Sequence, residues 1–148
     1  MKTRLFRALP ALTLLAPSAA IASELNQADT AWVLTANALV LFMTIPGLSL
    51  FYAGLVRVKN VLSVLMQCFA LTCLMSLVWF AVGYTIAFGS DGVEQGPFIG
   101  DFGNVFFASM SMDGLNGGIP ATLFAIFQMT FAIITPALIV GGFAERMR

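Results

Sequence analysis

Residues 117–144 read GGIPATLFAIFQMTFAIITPALIVGGFA and contain no charged side chain. About 20 apolar residues of helix cross the hydrocarbon core of a bilayer, so this run is long enough to do so. A helix of that length packed on a water-soluble core would keep one polar face, and this run has none. Working outward, residues 31–56 and 61–89 have the same character, again without a charge. The expected fold class is therefore all-α. It is a polytopic membrane helix bundle with spans at about 31–56, 61–89 and 117–144, and with residues 90–116 as the long loop.

Composition agrees. The chain has 148 residues, 59% of them hydrophobic and 9% charged, where an average soluble domain carries about a quarter charged. Seven basic and seven acidic residues give a net charge of zero, so there is no general pull towards nucleic acid. Histidine is absent, which removes the usual proton shuttle and metal or haem ligand. Cys68 and Cys73 lie inside the second apolar run and read as small hydrophobes rather than a disulfide. Nothing in these residues calls for a cofactor, a metal or enzymatic catalysis.

The charges are sorted by position. Arg57 and Lys59 occupy the short link between the first two runs, and Arg146 and Arg148 follow the third. The long link carries Asp91, Glu94, Asp101 and Asp113 with no Lys or Arg. Basic loops stay cytoplasmic, so the short link and residue 148 are expected inside and residues 90–116 in the periplasm. Residues 1–22 are expected to be a signal peptide. Lys2, Arg4 and Arg7 form its basic start, an apolar core broken by Pro10 and Pro17 follows, and Ala20-Ile21-Ala22 ends it. That core is too short for a retained span. Residues 23–148 then begin outside, which agrees with the loop charges. Phe98, Phe102, Phe106 and Phe107 in the long link are expected to rest at the membrane interface or to cap the outer mouth.

Within the spans, Pro46 and Pro136 each remove a backbone donor. Small residues near them (Gly47, Ser49, Ala53, Gly54, Gly141, Gly142) suit close helix approach. Asn37, Gln67, Gln128 and Thr130 place polar groups at membrane depth, where such groups usually bond to another helix. Phe124, Phe127 and Phe131 recur at spacings of three and four and share one helical face. Aromatic ring faces attract cations, and stacked rings can hold back water. From spacing alone, helix packing accounts for the same pattern.

Three stretches resemble the ammonium transporter (Amt/Mep/Rh) family in its bacterial members. They are residues 41–62, LFMTIPGLSLFYAGLVRVKNVL, residues 82–89, VGYTIAFG, and residues 127–148, FQMTFAIITPALIVGGFAERMR. The resemblance implies an eleven-helix fold with two inverted five-helix repeats, of which this chain would hold the first three helices as an N-terminal fragment. It implies a homotrimer in the bacterial inner membrane with one pore per subunit. Ammonium would be caught by outer aromatic rings and a hydroxyl, would lose its proton, and would cross an apolar pore as ammonia. Phe131 matches the family's outer phenylalanine at the capture site and gate, and Phe127 matches an aromatic one turn above it. Phe51 and Tyr52 match a Phe-Tyr pair near the inner part of the pore. The family's remaining capture residues and both pore histidines would lie beyond Arg148. A PII-type signalling protein is the implied partner on the cytoplasmic face.

Ammonium and potassium are alike in size and charge. Carrying a bare ion through an apolar tunnel is costly, and removing a proton first makes the cargo neutral and excludes potassium. An ammonium sensor built on the same membrane fold is the alternative. A membrane redox subunit would need ligands that this chain lacks.

Overall fold

The computed structural model describes residues 24–89 and 99–146. The expected signal peptide, Phe98, Asp91, Glu94 and Arg148 lie outside the described residues. Three helices long and apolar enough to cross a membrane dominate the rest: α1 (Gln27–Leu55), α2 (Val58–Phe88) and α3 (Ala121–Phe143). A two-residue hairpin, β1 (Leu115–Asn116) against β2 (Ile119–Pro120), stands before α3. It is a small addition to the all-α expectation.

The helix ends differ from the boundaries read off the charge-free runs, and each difference has a local cause. α1 starts before residue 31 because Asn26 caps it. The Asn26 side chain accepts hydrogen bonds from the backbone N–H groups of Ala28 (3.0 Å) and Asp29 (3.2 Å). Asp29 adds a negative charge to the first turn, where the helix dipole favours it. α3 starts later than residue 117. Gly117 and Gly118 take φ of +59° and +88°, a region glycine enters freely, and they turn the hairpin before the helix begins at Ala121.

Pro46 does not break α1. Residues Met43–Leu48 open into a π-helical stretch around it, which absorbs the missing donor. Thr44 and Ser49 turn their hydroxyls back to the carbonyls of Val40 and Ile45, so polar groups at this depth are satisfied within the helix. A second π-helical stretch, Trp79–Gly83, lies in the last turns of α2. Pro136 sits within an uninterrupted α3.

α1 and α3 run in the same direction and α2 runs against them. At the end we call upper, the Asn26 N–H donates to the Gly118 carbonyl at 2.8 Å. At the lower end the α1–α2 link meets the end of α3. α3 is the most buried of the three helices and packs on both others. Val64 and Cys68 of α2 and Val140 of α3 form the buried core, with Tyr52, Val56, Leu71 and Phe143 around it. Large apolar side chains such as Trp32, Phe42 and Leu62 remain exposed. That outward face suits lipid or further helices rather than water.

The loop after α2 is fastened to the helix it leaves. Thr85 donates its hydroxyl to the Asp101 carbonyl (2.7 Å) and accepts from the Asn104 N–H (3.2 Å). The Gly100 N–H donates to the Ile86 carbonyl at 2.8 Å. Phe106 and Phe107 sit in left-handed backbone at φ of 56° and 57°, which costs roughly 1–2 kcal/mol per residue. Their rings offset that cost by packing edge-on against Phe80 (5.8 and 5.4 Å) and, for Phe107, Tyr84 (5.0 Å).

Candidate functional site

The aromatic residues of α3 divide between two neighbourhoods. Phe127 and Phe131 meet edge to face, with centroids 5.1 Å apart and planes at 89°. Phe127 is half-buried and Phe131 is 43% exposed, so a ring face remains open to whatever stands beside α3. Phe124 lies on the same face, higher along the helix. Its ring packs on Phe88 of α2 at 5.2 Å and joins the upper cluster of Trp79, Tyr84 and Phe88. Phe124 lies about 20° from Phe131 and about 60° from Phe127 around the helix, so the face is shared, and its height beside Phe88 of α2 puts its ring in the other neighbourhood.

Several bonds fix the rotation and local shape of α3 near the pair. Thr130 is fully buried and donates to the Phe127 carbonyl at 2.7 Å. Thr135 donates to the Phe131 carbonyl at 2.8 Å. From α2, the Trp79 indole N–H donates to the Ala125 carbonyl at 3.1 Å. From α1, the Tyr52 hydroxyl donates to the Leu138 carbonyl at 2.8 Å. The Tyr52 ring lies so close to Gly141 that an added Cβ would stand 2.6 Å from its Cε1. Tyr52 thus anchors α1 to α3, with Phe51 beside it at 5.5 Å and largely exposed.

At the lower end the Glu145 carboxylate accepts from the Arg57 backbone N–H (2.9 Å) and from the Asn60 side-chain amide (3.0 Å). The Arg57 N–H, with Asn60 beside it and the charges of Arg57 and Lys59 nearby, holds this carboxyl below the usual range. Sequence reading assigned the basic residues here to topology and passed over Glu145, because nothing in its spacing announces a partner 88 residues away. The indole bond of Trp79 was likewise unreadable, since it depends on how two spans pack.

Chemically, the pair offers aromatic faces at membrane depth in a stretch without ionisable groups. It can attract a small cation but provides no base. Three long apolar helices of this kind define a multi-pass membrane protein. The comparisons with known proteins narrow that class. The model of the ammonium transporter family matches residues 31–148. An ammonium transporter of Aquifex aeolicus is 44% identical over 137 residues, an alignment covering 88% of this chain and 31% of that protein. A putative ammonium transporter of Methanothermobacter thermautotrophicus is 44% identical over 132 residues, covering 84% of this chain and 30% of its own length. The ammonium transporter of Bacillus subtilis is 42% identical over 129 residues, with 84% and 30% covered.

This chain belongs to the ammonium transporter family. It spans about a third of the length of the curated relatives it matches.

Proposed function

We propose that the protein transports ammonium across the membrane, and that Phe131 with Phe127 forms its upper capture site and gate. The observation that carries this reading is the edge-to-face pair, half open, in a charge-free stretch of the most buried helix. Ring faces attract a cation and replace part of its hydration. No carboxylate in the described spans below Asp29 offers an ion a competing path. The cargo therefore crosses the apolar stretch as neutral ammonia, after giving up its proton to a group outside these three helices. Phe51 and Tyr52 line the lower part of that path in this reading.

The upper end faces the periplasm and the Arg57 end faces the cytoplasm, an orientation supported by the basic residues at the lower end. Residues 1–22 are a cleaved signal peptide, residues 23–148 are the start of the transporter domain, and the membrane is the bacterial inner membrane. The protein assembles as a homotrimer, and a PII-type signalling protein binds its cytoplasmic face. These points rest on the charge pattern and the family resemblance.

Uptake of labelled methylammonium by cells making the protein from its own locus tests the function. Ammonium should compete with it at equal concentration, and potassium should not. Potassium competing as well as ammonium would sink the deprotonation step, because a potassium ion has no proton to leave behind.

A further inference from the structure

A half-enclosed cavity of about 410 Å³ lies at the upper end, between the last turn of α2, the loop after it and the hairpin before α3. Small-molecule sites fall at about 300–1,000 Å³. Tyr84 and Phe88 give the cavity two aromatic walls, and Asn104, Ser109, Ser111 and Asn116 give it amides and hydroxyls. Its walls are held by bonds of their own. The side-chain oxygen of the buried Asn104 accepts from the Ser109 N–H at 3.2 Å. The Ser111 hydroxyl accepts from the Asp113 N–H at 3.3 Å, and the Gly114 carbonyl accepts from the Ala121 N–H at 2.8 Å. Ser109, Ser111 and Asn116 are exposed, so the cavity opens to the aqueous side at this end.

Charge decides which ligand suits it. Residues 90–116 carry Asp91, Glu94, Asp101 and Asp113 and no Lys or Arg. Asp113 is exposed and stands between two lining residues, Ser111 and Gly114. Glu24 and Asp29 belong to the same end, where Asn26 and Glu24 meet Gly118. Every Lys and Arg among the described residues (Arg57, Lys59 and Arg146) lies at the lower end. A cleft under one sign of charge concentrates the opposite ion, so the ligand is a cation. Among the described residues no three acidic, His or Cys side chains come together, so a divalent metal finds no cage of carboxylates. Ammonium needs none. Hydroxyl and amide oxygens accept its N–H groups, and the faces of Tyr84 and Phe88 attract its charge.

Rings lead from this cavity towards the pair on α3. Phe88, in the cavity wall, meets Phe124 at 5.2 Å. Phe124 stands three residues above Phe127, about 4.5 Å of helical rise, and Phe127 meets Phe131 at 5.1 Å. We propose that the cavity is a second, outer holding site for the ammonium ion, which rests there with part of its water before it passes down to Phe127 and Phe131. This rests on the capture role proposed for that pair. The two sites divide the task. The cavity gathers a hydrated cation from solution by charge and hydrogen bonds, and the ring pair receives it as water is shed.

The test changes the charge at the cavity rim in the full-length protein made from its own locus, and reads the concentration dependence of methylammonium uptake at low and high salt. Asn116→Lys should raise KM about fivefold at low ionic strength, with maximal rate little changed, and the rise should shrink as salt screens it. Asn116→Asp, of the same shape and opposite sign, should lower KM, which a mere fault in folding would not do. Phe102→Lys puts the same charge on an exposed loop residue outside the lining and should change KM less. Equal effects of Asn116→Lys and Phe102→Lys would reduce the cavity to a general surface field and overturn the proposal. So would an unchanged KM in Asn116→Lys and Asn116→Asp, and if Phe131→Ala still altered uptake, the role of the ring pair would stand. No saturable uptake by the unaltered protein would overturn both. If Asn116→Lys does not accumulate, Ser111→Lys at the same rim is read by the same rise or constancy of KM.

Discussion

Tyr52 shows how one side chain can set the relation of two membrane helices. Its hydroxyl reaches the Leu138 carbonyl, and its ring occupies the space that glycine leaves at position 141. Removing the hydroxyl with Tyr52→Phe should cost about 1 kcal/mol. Gly141→Ala should cost about 1–3 kcal/mol, because the new methyl group meets a ring held in place by its own hydrogen bond. Gly54 has nothing within 4 Å of a Cβ built on it, so Gly54→Ala should be close to neutral. Thermal unfolding of the purified protein ranks the three, and a Gly54→Ala loss equal to that of Gly141→Ala would contradict the packing described. At this scale the sequence was partly legible. Phe127 and Phe131 could be paired from a spacing of four, and their rings do meet. The partner of Phe124 could not be read, because Phe88 comes beside it only in the fold. The Phe51-Tyr52 match carried no hint that the tyrosine would be a tie between helices.

Among elements, the long charge-free runs were legible because the bilayer leaves few alternatives: backbone groups must bond within the segment. The ends were less so. Asn26 as a cap and Gly117-Gly118 as a turn are short-range signals, overridden in the reading by the simple extent of the uncharged run. The loop after α2 was legible only as acidic and rich in glycine and phenylalanine. Its fastening at Gly100 depends on backbone contact: a Cβ there would come within 2.4 Å of the Thr85 carbonyl and 2.6 Å of the Gly89 nitrogen. Neither atom can give way as a flexible side chain would. Gly100→Ala should therefore undock the loop from α2. Hydrogen exchange should report it as lost protection at Gly100 and Asn104, with protection in the middle of α3 retained. Unchanged protection at those two amides would count against the docking.

Across the whole molecule, the lower end is closed by one carboxylate. Glu145 binds the Arg57 amide and the Asn60 side chain in its charged form, and its pKa lies below the ordinary value. A lowered pKa means the bond stabilises the fold above the unfolded-state pKa, about 4.3 for glutamate. That contribution fades as pH falls through the folded-state value. The melting temperature of Glu145→Gln should thus fall below that of the unaltered protein at neutral pH, and the gap should close in more acidic solution. A gap that persists undiminished at low pH would show that charge on Glu145 is not what holds the end together. The same end carries Arg57 and Lys59, and the proposed topology places it in the cytoplasm. A cysteine at Lys59, with Cys68 and Cys73 replaced by alanine, should react with an impermeant reagent in inside-out vesicles and not in intact cells.

The central claim is that Phe131 stands where the ammonium ion is caught. The direct measurement compares methylammonium uptake by the full-length protein carrying Phe131→Ala with uptake by one carrying Phe102→Ala, a loop ring that is 68% exposed. We expect Phe131→Ala to change half-saturation or maximal rate by about tenfold, with Phe102→Ala close to the unaltered protein. Equal and small effects of the two changes would contradict the account.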